Sequence, residues 1–576
     1  MTLPPRVSRV SGSAIRAGLI MVIGLALVLR LIGLRYGLPH VYNPDEVAIM
    51  SRALAFAKGD LNPHNFLYPS LYFYVLFAWE ALTALLAVGA GAVSSFGAFQ
   101  REFFLDPTRV YVAGRLLTAL LGTATVVATA RLAARFDGVR AGLIAALFLA
   151  VVPLHVLNSH YVKHDVPVTL LIVLAYLSYE RLWETGGSLV IASAITGAAF
   201  ATQYYTIFLA IPLAWSAAHV ARDRSVAVKR IVAAGGIAAV VFFVCSPFIL
   251  VEPSTAFRDV VANRQIVVDR AVGQIGYLGT AVRYVRMTMF LSMAPVTFFA
   301  ALGVISALTV PRNRSKALLL LSFPAAFVLF ICSTYPASRY LVPVTPFLAV
   351  LAASTMDRAL NDLHRATRFG AVAALGVVVM MAIGECVFTD LFIRQTDTRT
   401  LAAAYIDANL PAGSTILTQP YSVPLEPTRE VLREAVARNA RNMPTKTQLQ
   451  LARDPYPSPA YRVLYLGRGL DADKVYVPYE AMGPQGDLSR VRAEHVAFVV
   501  LKRYNVDDPA TLPLLAALAR EGRRLAVFSP YRPEANVADS GRGTRPEPFL
   551  HNTDARIDPA LERPGPIVEI WQIDGR

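Results

Sequence analysis

Charged residues are scarce in this sequence, and their scarcity is the first constraint on its fold. Asp, Glu, Lys and Arg make up only 16% of the 576 residues, whereas hydrophobic residues make up 55%. An average soluble domain carries about 25% charged residues. The composition therefore predicts a membrane protein that crosses the bilayer several times.

Cysteine is also rare, and several familiar sequence motifs are missing. Cys245, Cys332 and Cys386 all lie in or beside apolar segments, so they are expected to be packing residues and not a disulfide framework. The sequence contains no Gly-rich phosphate loop, no CxxC pair and no HExxH. It therefore offers no motif for a nucleotide-phosphate site, a thiol redox pair or a zinc peptidase.

Basic residues outnumber acidic ones, with a net charge of +15, but their distribution does not predict a nucleic-acid partner. Much of the excess lies in short clusters between apolar runs, where Lys and Arg set the orientation of membrane helices by favouring the cytoplasmic side. Five clusters are expected to be cytoplasmic: Arg6/Arg9/Arg16, Arg131/Arg135/Arg140, Arg222/Arg224/Lys229/Arg230, Arg312/Arg314/Lys316 and Arg358/Arg365/Arg368.

Long apolar runs are abundant. The number of them that cross the membrane can be tested, because the basic clusters between them are expected to lie on the cytoplasmic side. About 20 apolar residues are needed to cross the hydrocarbon as a helix, and fewer where the helix is buried among others. Twelve runs are candidates: 13–34, 68–93, 110–133, 141–157, 167–183, 187–203, 205–220, 231–250, 287–309, 317–333, 341–356 and 369–390.

One of these twelve runs is not expected to span the membrane. With a cytoplasmic N-terminus, Asp45 emerges outside, so the chain must cross an odd number of times before it reaches Arg131. Two runs lie between these residues. The run 68–93 is the better candidate for a non-spanning, interfacial helix, because it contains Glu80 and begins with many aromatic residues. Eleven spanning helices remain.

The composition changes after Thr396. Short β-rich runs ("STILTQ", "RVLYLG", "HVAFVVL", "RLAVFSP", "IVEIWQI") alternate there with helix-like stretches. We therefore predict a polytopic helical transmembrane domain over 1–394, with a juxtamembrane outer loop over 37–109, and an extracytoplasmic α/β domain over 395–576. The expected location is the inner cell membrane, with multiple spans and a cytoplasmic N-terminus.

Two outer loops carry carboxylates that could perform chemistry. The stretch "YNPDEVAIM" holds Asp45 and Glu46, which on a helix would diverge by about 100°, so only one could face a given substrate. Asp45 could instead cap a helix, and Glu46 could favour its positive end, hold a metal or orient Asp45. The loop "HVLNSHYVKHDVP" adds Lys163 and Asp165, the latter also a candidate helix cap.

Other polar residues in these loops have two interpretations each. His160 and His164 are spaced i, i+4 and could hold a divalent metal ion if that segment is helical. Arg339 and Tyr340, in "STYPASRYLVPVTP", lie at an outer helix end. Arg339 could bind a phosphate or could reach lipid headgroups, and Arg30 presents the same choice.

Tyr68 begins an aromatic run over 68–79 that is typical of an interface anchor. Within that run, Tyr68 alone is a candidate for contact with a substrate.

The order and spacing of four runs resemble the GT-C membrane glycosyltransferases, and within them the protein O-mannosyltransferase, ArnT and Rgt-type group. The runs are "YNPDEVAIMSRALAFAKGD…YPSLYFY", "GRLLTALLGT", "VPLHVLNSHYVKHDVP" and "SRYLVPVTPFLA", within roughly residues 15–390. The resemblance implies juxtamembrane helices, a catalytic acidic residue in the first outer loop, and inversion at the sugar by a single displacement. The sequence departs from many relatives at "YPSL", where they have two prolines before the leucine.

The chemistry of the outer face adds a mechanism. Nucleotide sugars are absent there, so a transferase would use a polyprenyl-phosphate sugar, whose lipid phosphate leaves as an anion that Arg, Lys, His or a divalent ion can stabilise. The acceptor hydroxyl, on a glycan, a lipid or a protein, needs a base, and a partly desolvated carboxylate has its pKa raised toward that role. We predict Asp45 as the base. The sequence specifies no cofactor, and a divalent metal ion is the one candidate.

Two other classes of function remain open from the sequence. A lipid-linked oligosaccharide ligase or polymerase would have a similar polytopic chain but a wider outer cavity. A transporter usually places charged residues near the bilayer midplane, whereas the acidic residues here cluster in outer loops.

Overall fold

The computed structural model describes residues 12–265, 276–291, 294–309, 314–362, 364–439, 442–469, 471–482, 488–505, 507–535, 546–551 and 556–573. Up to residue 393 the described chain is helical. Its α-helices are α1 (Gly12–Leu31), α2 (Pro44–Ala55), α3 (Leu71–Gly89), α4 (Phe96–Leu105), α5 (Thr108–Asp137), α6 (Val139–Ala150), α7 (Pro153–Asn158), α8 (Asp165–Thr185), α9 (Leu189–Phe200), α10 (Ala210–His219), α11 (Arg224–Cys245), α12 (Phe248–Val251), α13 (Pro253–Arg264), α14 (Gly276–Leu291), α15 (Ala294–Thr309), α16 (Arg314–Ile331), α17 (Thr345–Leu360) and α18 (Arg365–Ile393).

The apolar runs of the sequence all occur as helices. Within the described residues, eight helical stretches are long and apolar enough to cross a membrane: Ser13–Leu31, Leu71–Gly89, Thr108–Asp137, Asp165–Thr185, Arg224–Cys245, Arg314–Ile331, Ser338–Leu360 and Arg365–Asn409. The bent pair α14 and α15 could form a ninth, and α6 and α9 are shorter apolar helices. The predicted class, a polytopic helical membrane protein, is confirmed.

Helix α3 passes the length and composition test for a span, yet its contacts favour an interfacial position. The Tyr72 hydroxyl lies 3.4 Å from the Thr118 hydroxyl, and the Trp79 indole N–H donates to the Ala113 carbonyl at 2.8 Å. Helix α3 therefore runs antiparallel to the first part of α5 and continues past its N-terminus. It does not run beside the remaining two thirds of α5.

An ion pair supports the same conclusion about the number of membrane crossings before α8. The Lys163 ammonium lies 3.0 Å from the Asp45 carboxylate, so the two residues are on the same side of the membrane. Helices α5 and α6 both lie between them. If both of these cross, α3 does not, as the positions of the basic clusters predict.

Cysteine labelling tests this topology. In a background without the native cysteines, Lys58→Cys and Gln100→Cys flank α3 at exposed positions. Because α3 is expected not to cross, a membrane-impermeant maleimide should label both from outside. Arg222→Cys, on the opposite side, should react only after permeabilisation. Labelling of Lys58→Cys but not Gln100→Cys in intact cells would refute the eleven-helix topology.

The basic clusters gather at one end of the helical part. Arg140 pairs with Asp357 at 2.5 Å, which joins the start of α6 to the end of α17, and Lys316 pairs with Glu184 at 2.5 Å, which joins α16 to the end of α8. These contacts lie at the opposite helix ends from Asp45 and Lys163. Three residues of the predicted cytoplasmic clusters lie outside the described part: Arg6, Arg9 and Arg312.

The C-terminal part contains the predicted α/β domain. Its elements are α19 (Thr398–Asn409), β1 (Thr415–Thr418), α20 (Arg429–Asn439), α21 (Thr445–Leu451), β2 (Arg462–Leu466), β3 (Val475–Val477), α22 (Ser489–Ala493), β4 (Phe498–Arg503), α23 (Leu512–Glu521), β5 (Gly522–Phe528) and β6 (Ile567–Ile573). They form one sheet in the order β3-β2-β1-β4-β6-β5, in which β3, β2, β1 and β4 are parallel and β6 is antiparallel to both neighbours.

This C-terminal domain packs on the loop that joins α1 to α2. The ring of His551 stacks on Tyr36 with centroids 4.5 Å apart, and the Asn43 amide donates to the His551 carbonyl at 3.2 Å. The Arg399 guanidinium lies 3.8 Å above the ring of Tyr42. The domain therefore lies on the same side as Asp45 and holds the chain that leads into α2.

Candidate active site

The start of α2 directs Asp45 away from a capping role. The cap is Asn43, whose side-chain oxygen accepts the Asp45 backbone N–H at 3.1 Å, and Pro44 occupies the first helical position. Asn at the cap and Pro at the first position are both strongly favoured at helix starts. The Asp45 carboxylate is therefore not needed to cap the helix and is available for other contacts.

The two adjacent carboxylates face different surroundings, as their angular separation predicts. Glu46 is fully buried and receives two hydrogen bonds from Arg115, at 3.0 and 2.8 Å, one from the Tyr36 hydroxyl at 2.6 Å and one from the Val162 backbone N–H at 3.0 Å. Asp45 instead lines a cavity. Glu46 joins α2 to α5 and to the loop before α8, and it does not line that cavity.

Two cations hold Asp45. The Lys163 ammonium lies 3.0 Å from its Oδ2, and the Arg339 guanidinium donates to the same oxygen. Burial alone would raise the pKa of Asp45, but these two positive charges outweigh burial and lower it to about 2. Desolvation in turn lowers the pKa of Lys163. The expectation of a raised pKa is therefore wrong for Asp45 in the ligand-free protein.

The cavity next to this group is amphipathic. It has a volume of about 520 Å³ and lies at the same helix ends as Asp45 and Lys163. Charged and polar side chains line one part of it: Asp45, Tyr68, Lys163, His164, Asp165, Arg339 and Tyr340. Most of the remaining lining is aromatic and aliphatic, including Phe208, Phe327, Phe330 and Ile331, and the further polar residues there are Gln203, Asn263, Arg264, Ser333 and Thr334. A molecule with an anionic head and an apolar tail would match both parts.

Asp165 lies in the same cavity as the first residue of α8. Within the part of the chain that the structure describes, its carboxylate forms no ion pair, and its hydrogen-bond partner is the backbone N–H of its own residue. The backbone carbonyl of the same residue accepts the Thr169 hydroxyl at 2.6 Å. Asp165 is therefore a second carboxylate in the cavity, and it is less constrained than Asp45.

The histidine pair does not form a metal site. The His160 ring nitrogens lie 2.9 Å and 2.7 Å from the carbonyl oxygens of Val156 and Ile32. The His164 ring stacks on Tyr68 with centroids 4.4 Å apart, and burial lowers the pKa of His164 to about 3, so the ring is neutral. Among the described residues no group of three or more His, Cys, Asp or Glu is placed to hold a metal ion.

Two further candidates have different outcomes. Arg30 is fully buried away from the cavity, and its guanidinium donates to the carbonyls of Ala26 and Ala150 at 2.9 and 3.1 Å and contacts His155 Nδ1 at 2.9 Å. These partners occupy it, so it does not reach the site. Tyr68 lines the cavity, and burial raises its pKa to about 12, so it remains a neutral phenol.

A smaller cavity, which the sequence gave no reason to expect, lies on the other side of the cations. It has a volume of about 140 Å³ and shares Lys163 and Arg339 with the larger one. Its other polar lining comes from Asn158, Tyr161, Arg283, Glu547 and His551. The Tyr161 hydroxyl and both ring nitrogens of His551 are buried and have no hydrogen-bond partner among the described residues.

Sequence reasoning missed His551 because it is an isolated histidine in the C-terminal part. Burial, and nearby cations headed by Arg399, hold the pKa of His551 well below its usual range, so the ring is neutral. The only local signal was its setting between apolar and turn-forming residues in "FLHNTD". Folding alone brings it to Tyr36 and to the cavity that Lys163 and Arg339 line.

Comparison with known proteins gives a family match and several structural matches. Residues 108–250 match the family model described as dolichyl-phosphate-mannose-protein mannosyltransferase. A comparison with curated protein sequences finds no match. The matched segment contains α5, the loop with Lys163 and Asp165, and the helices up to α12.

Solved structures share the fold over almost the whole chain. ArnT from Cupriavidus metallidurans, bound to undecaprenyl phosphate, is 15% identical with a TM-score of 0.52, over 97% of this chain and 98% of ArnT. The Archaeoglobus fulgidus oligosaccharyltransferase in its apo form is 12% identical with a TM-score of 0.54, over 98% of this chain and 89% of that chain. The Archaeoglobus fulgidus AglB complex with an inhibitory peptide and a dolichol-phosphate has a TM-score of 0.51 at 12% identity, over 97% of this chain and 88% of that chain.

The resemblance seen in the sequence is thereby confirmed, and the chain is a multi-pass membrane protein with the GT-C glycosyltransferase fold.

Proposed function

We propose that this protein is an inverting glycosyltransferase that moves a sugar from a polyprenyl-phosphate-linked donor to an acceptor hydroxyl on the outer face of the membrane. One observation carries the proposal. A carboxylate, Asp45, is paired with Lys163 and Arg339 in a cavity that also has an aromatic and aliphatic wall. The undecaprenyl phosphate bound to ArnT and the dolichol-phosphate bound to AglB are ligands of the same chemical type.

The donor is expected to bind in the larger cavity. Its phosphate would be held by Lys163 and Arg339, which are the cations of the described lining closest to Asp45. Its first isoprene units would contact the aromatic wall that includes Phe208 and Phe327. When the sugar leaves, the lipid phosphate gains charge, and preorganised cations stabilise such an anion more effectively than water does.

Donor binding would also change the basicity of Asp45. With a phosphate bound, the charges of Lys163 and Arg339 are shared between two anions. The pKa of Asp45 then rises from its ligand-free value of about 2, which makes the carboxylate a better base. The acceptor oxygen forms a bond to the anomeric carbon, its proton passes to Asp45, and the bond between that carbon and the phosphate oxygen breaks. Asp165 is the alternative base, since it lines the same cavity.

The acceptor is proposed to enter through the smaller cavity. The unpartnered Tyr161 hydroxyl and the His551 ring nitrogens would hydrogen-bond a polar group there, and Lys163 and Arg339 separate this space from the donor cavity. A buried polar group without a partner is costly, so a ligand that supplies one gains affinity. The cavity of about 140 Å³ favours a compact acceptor end, such as one sugar residue, over an oligosaccharide.

A donor panel tests this function. Purified protein is incubated with polyprenyl-phosphate hexoses, pentoses and amino sugars together with a membrane extract as acceptor, and products are identified by mass spectrometry. At least one polyprenyl-phosphate sugar should be consumed, with inversion at the anomeric carbon detected by NMR. Arg339→Ala serves as the impaired control. Retention of configuration, or transfer from nucleotide sugars instead of lipid-linked ones, would refute the proposal.

A further inference from the structure

A second large cavity lies at the opposite end of the helical part and takes no part in the proposed reaction. It has a volume of about 530 Å³ and is formed by the C-terminal ends of α5 and α8 and by the first half of α9. Its lining combines three arginines, Arg131, Arg135 and Arg181, with leucine and isoleucine side chains.

The helices place this cavity about one bilayer away from Asp45. Arg131 follows Arg115 by sixteen residues along α5, and Arg181 follows Asp165 by sixteen residues along α8. At 1.5 Å per residue each interval is roughly 24 Å. The hydrocarbon core of a bilayer is about 30 Å thick, so the arginines lie at the headgroup level of the opposite leaflet.

The arginines leave positive charge unneutralised in this cavity. Arg135, which is half-exposed, is paired, because its guanidinium donates to the buried carboxylate of Glu180 at 2.6 Å. Arg131 and Arg181 are exposed, and neither side chain makes a hydrogen bond or ion pair with another described residue. The lining itself contains no acidic residue among those described. An anion would therefore meet two free guanidinium groups.

The remaining wall extends into the hydrocarbon. Leu174 and Leu177 lie one to two turns before Arg181 on α8, and Ile191 and Ile195 face them from α9. A free phosphate would make no use of this apolar wall, and a soluble protein could not reach it through the bilayer. An anionic lipid matches both features, because its phosphate meets the arginines and its acyl chains meet the leucine and isoleucine side chains.

We propose that this cavity is a binding site for the headgroup and upper acyl chains of an anionic glycerophospholipid of the inner leaflet. Basic recesses between membrane helices on the cytoplasmic side recognise such headgroups. Bound lipid would bridge α5, α8 and α9. Helix α5 also carries Arg115, the partner of Glu46, and α8 begins at the candidate residue Asp165. The site is independent of the proposed donor and acceptor cavities.

Lipid binding to the full-length protein in detergent tests this proposal, with native mass spectrometry as the readout. Phosphatidylglycerol should bind the wild type, and the Arg131→Gln, Arg181→Gln double variant should bind it roughly 30-fold more weakly, since each basic group near a membrane surface contributes about five- to sixfold in affinity. Arg365→Gln with Arg368→Gln, at exposed positions of α18, is the charge-matched control and should bind like the wild type. Phosphatidylcholine should not bind in an arginine-dependent manner.

Several results would overturn the site. Equal weakening in both double variants would show a general charge effect, and full competition by inorganic phosphate would show an anion site without lipid specificity. Undecaprenyl phosphate binding more tightly than phosphatidylglycerol, and depending on Arg131 and Arg181, would assign the cavity to the carrier lipid instead. Both double variants are scored by lipid binding and not by transfer, so failure here leaves the donor-panel result unaffected.

Discussion

Replacement of Asp45 by Asn is expected to slow sugar transfer by about 10² to 10⁴, which is the usual contribution of a positioned acid or base. The same change should tighten the binding of the donor lipid phosphate. Asp45 is the anion that engages Lys163 and Arg339 in the ligand-free protein, and the amide would leave these cations available to the phosphate. Transfer rates and donor affinity are measured on the same purified variant.

Arg339→Ala provides the opposite pattern, because it should weaken donor binding as well as slow transfer. Folding is a smaller concern for Asp45→Asn than it would be for a capping residue, since Asn43 supplies the cap of α2. Asp165→Asn completes the comparison. If Asp45→Asn retained near-normal transfer while Asp165→Asn abolished it, the base would be Asp165 and the assignment of Asp45 would be wrong.

Replacement of Glu46 by Ala is expected to destabilise the fold strongly. Arg115 and Glu46 are both fully buried, so removal of the carboxylate leaves an unpaired guanidinium inside the protein. Breaking a buried ion pair from one side costs about 3 to 5 kcal/mol. A large fall in the thermal unfolding temperature in detergent should therefore accompany, or precede, any loss of transfer activity.

Two companion variants separate this effect from a catalytic one. Glu102→Ala removes one partner of the exposed Glu102–Arg109 pair, at 2.8 Å, and should change stability by less than about 1 kcal/mol. Glu46→Leu combined with Arg115→Leu removes both buried charges and should recover much of the lost stability. A Glu46→Ala protein with wild-type stability and no transfer would instead assign Glu46 a direct role in the chemistry.

The membrane architecture and the chemistry-bearing loops could be predicted from local patterns. Apolar runs of helix length predicted the eight long apolar helices of the described residues, because the hydrocarbon requires each backbone group to be satisfied within the segment. Alternating apolar runs predicted five of the six strands. They missed β3, since Val475–Val477 is too short to show a period. The angular separation of adjacent helical residues predicted that Asp45 and Glu46 would face different surroundings.

Other features depend on residues that are far apart in the chain. Arg30 and Arg339 are both arginines near helix ends. Only the fold shows that Arg30 donates to backbone carbonyls, whereas Arg339 pairs with Asp45. The pKa of Asp45 was predicted in the wrong direction for the same reason. Burial can be anticipated from composition, but the Coulomb energy of two cations depends on their distance from the carboxylate.

Periodicity and composition therefore determined which segments form long apolar helices, which loops carry polar groups and which part forms a sheet, because these properties arise from neighbours in the chain. Tertiary structure alone decided the partners of each charge, the choice of Asn43 over Asp45 as the helix cap, and the arrival of His551 beside Tyr36 and Lys163. The physical reason is range. A hydrogen bond or ion pair acts over about 3 to 4 Å, and the sequence does not specify such distances between remote residues.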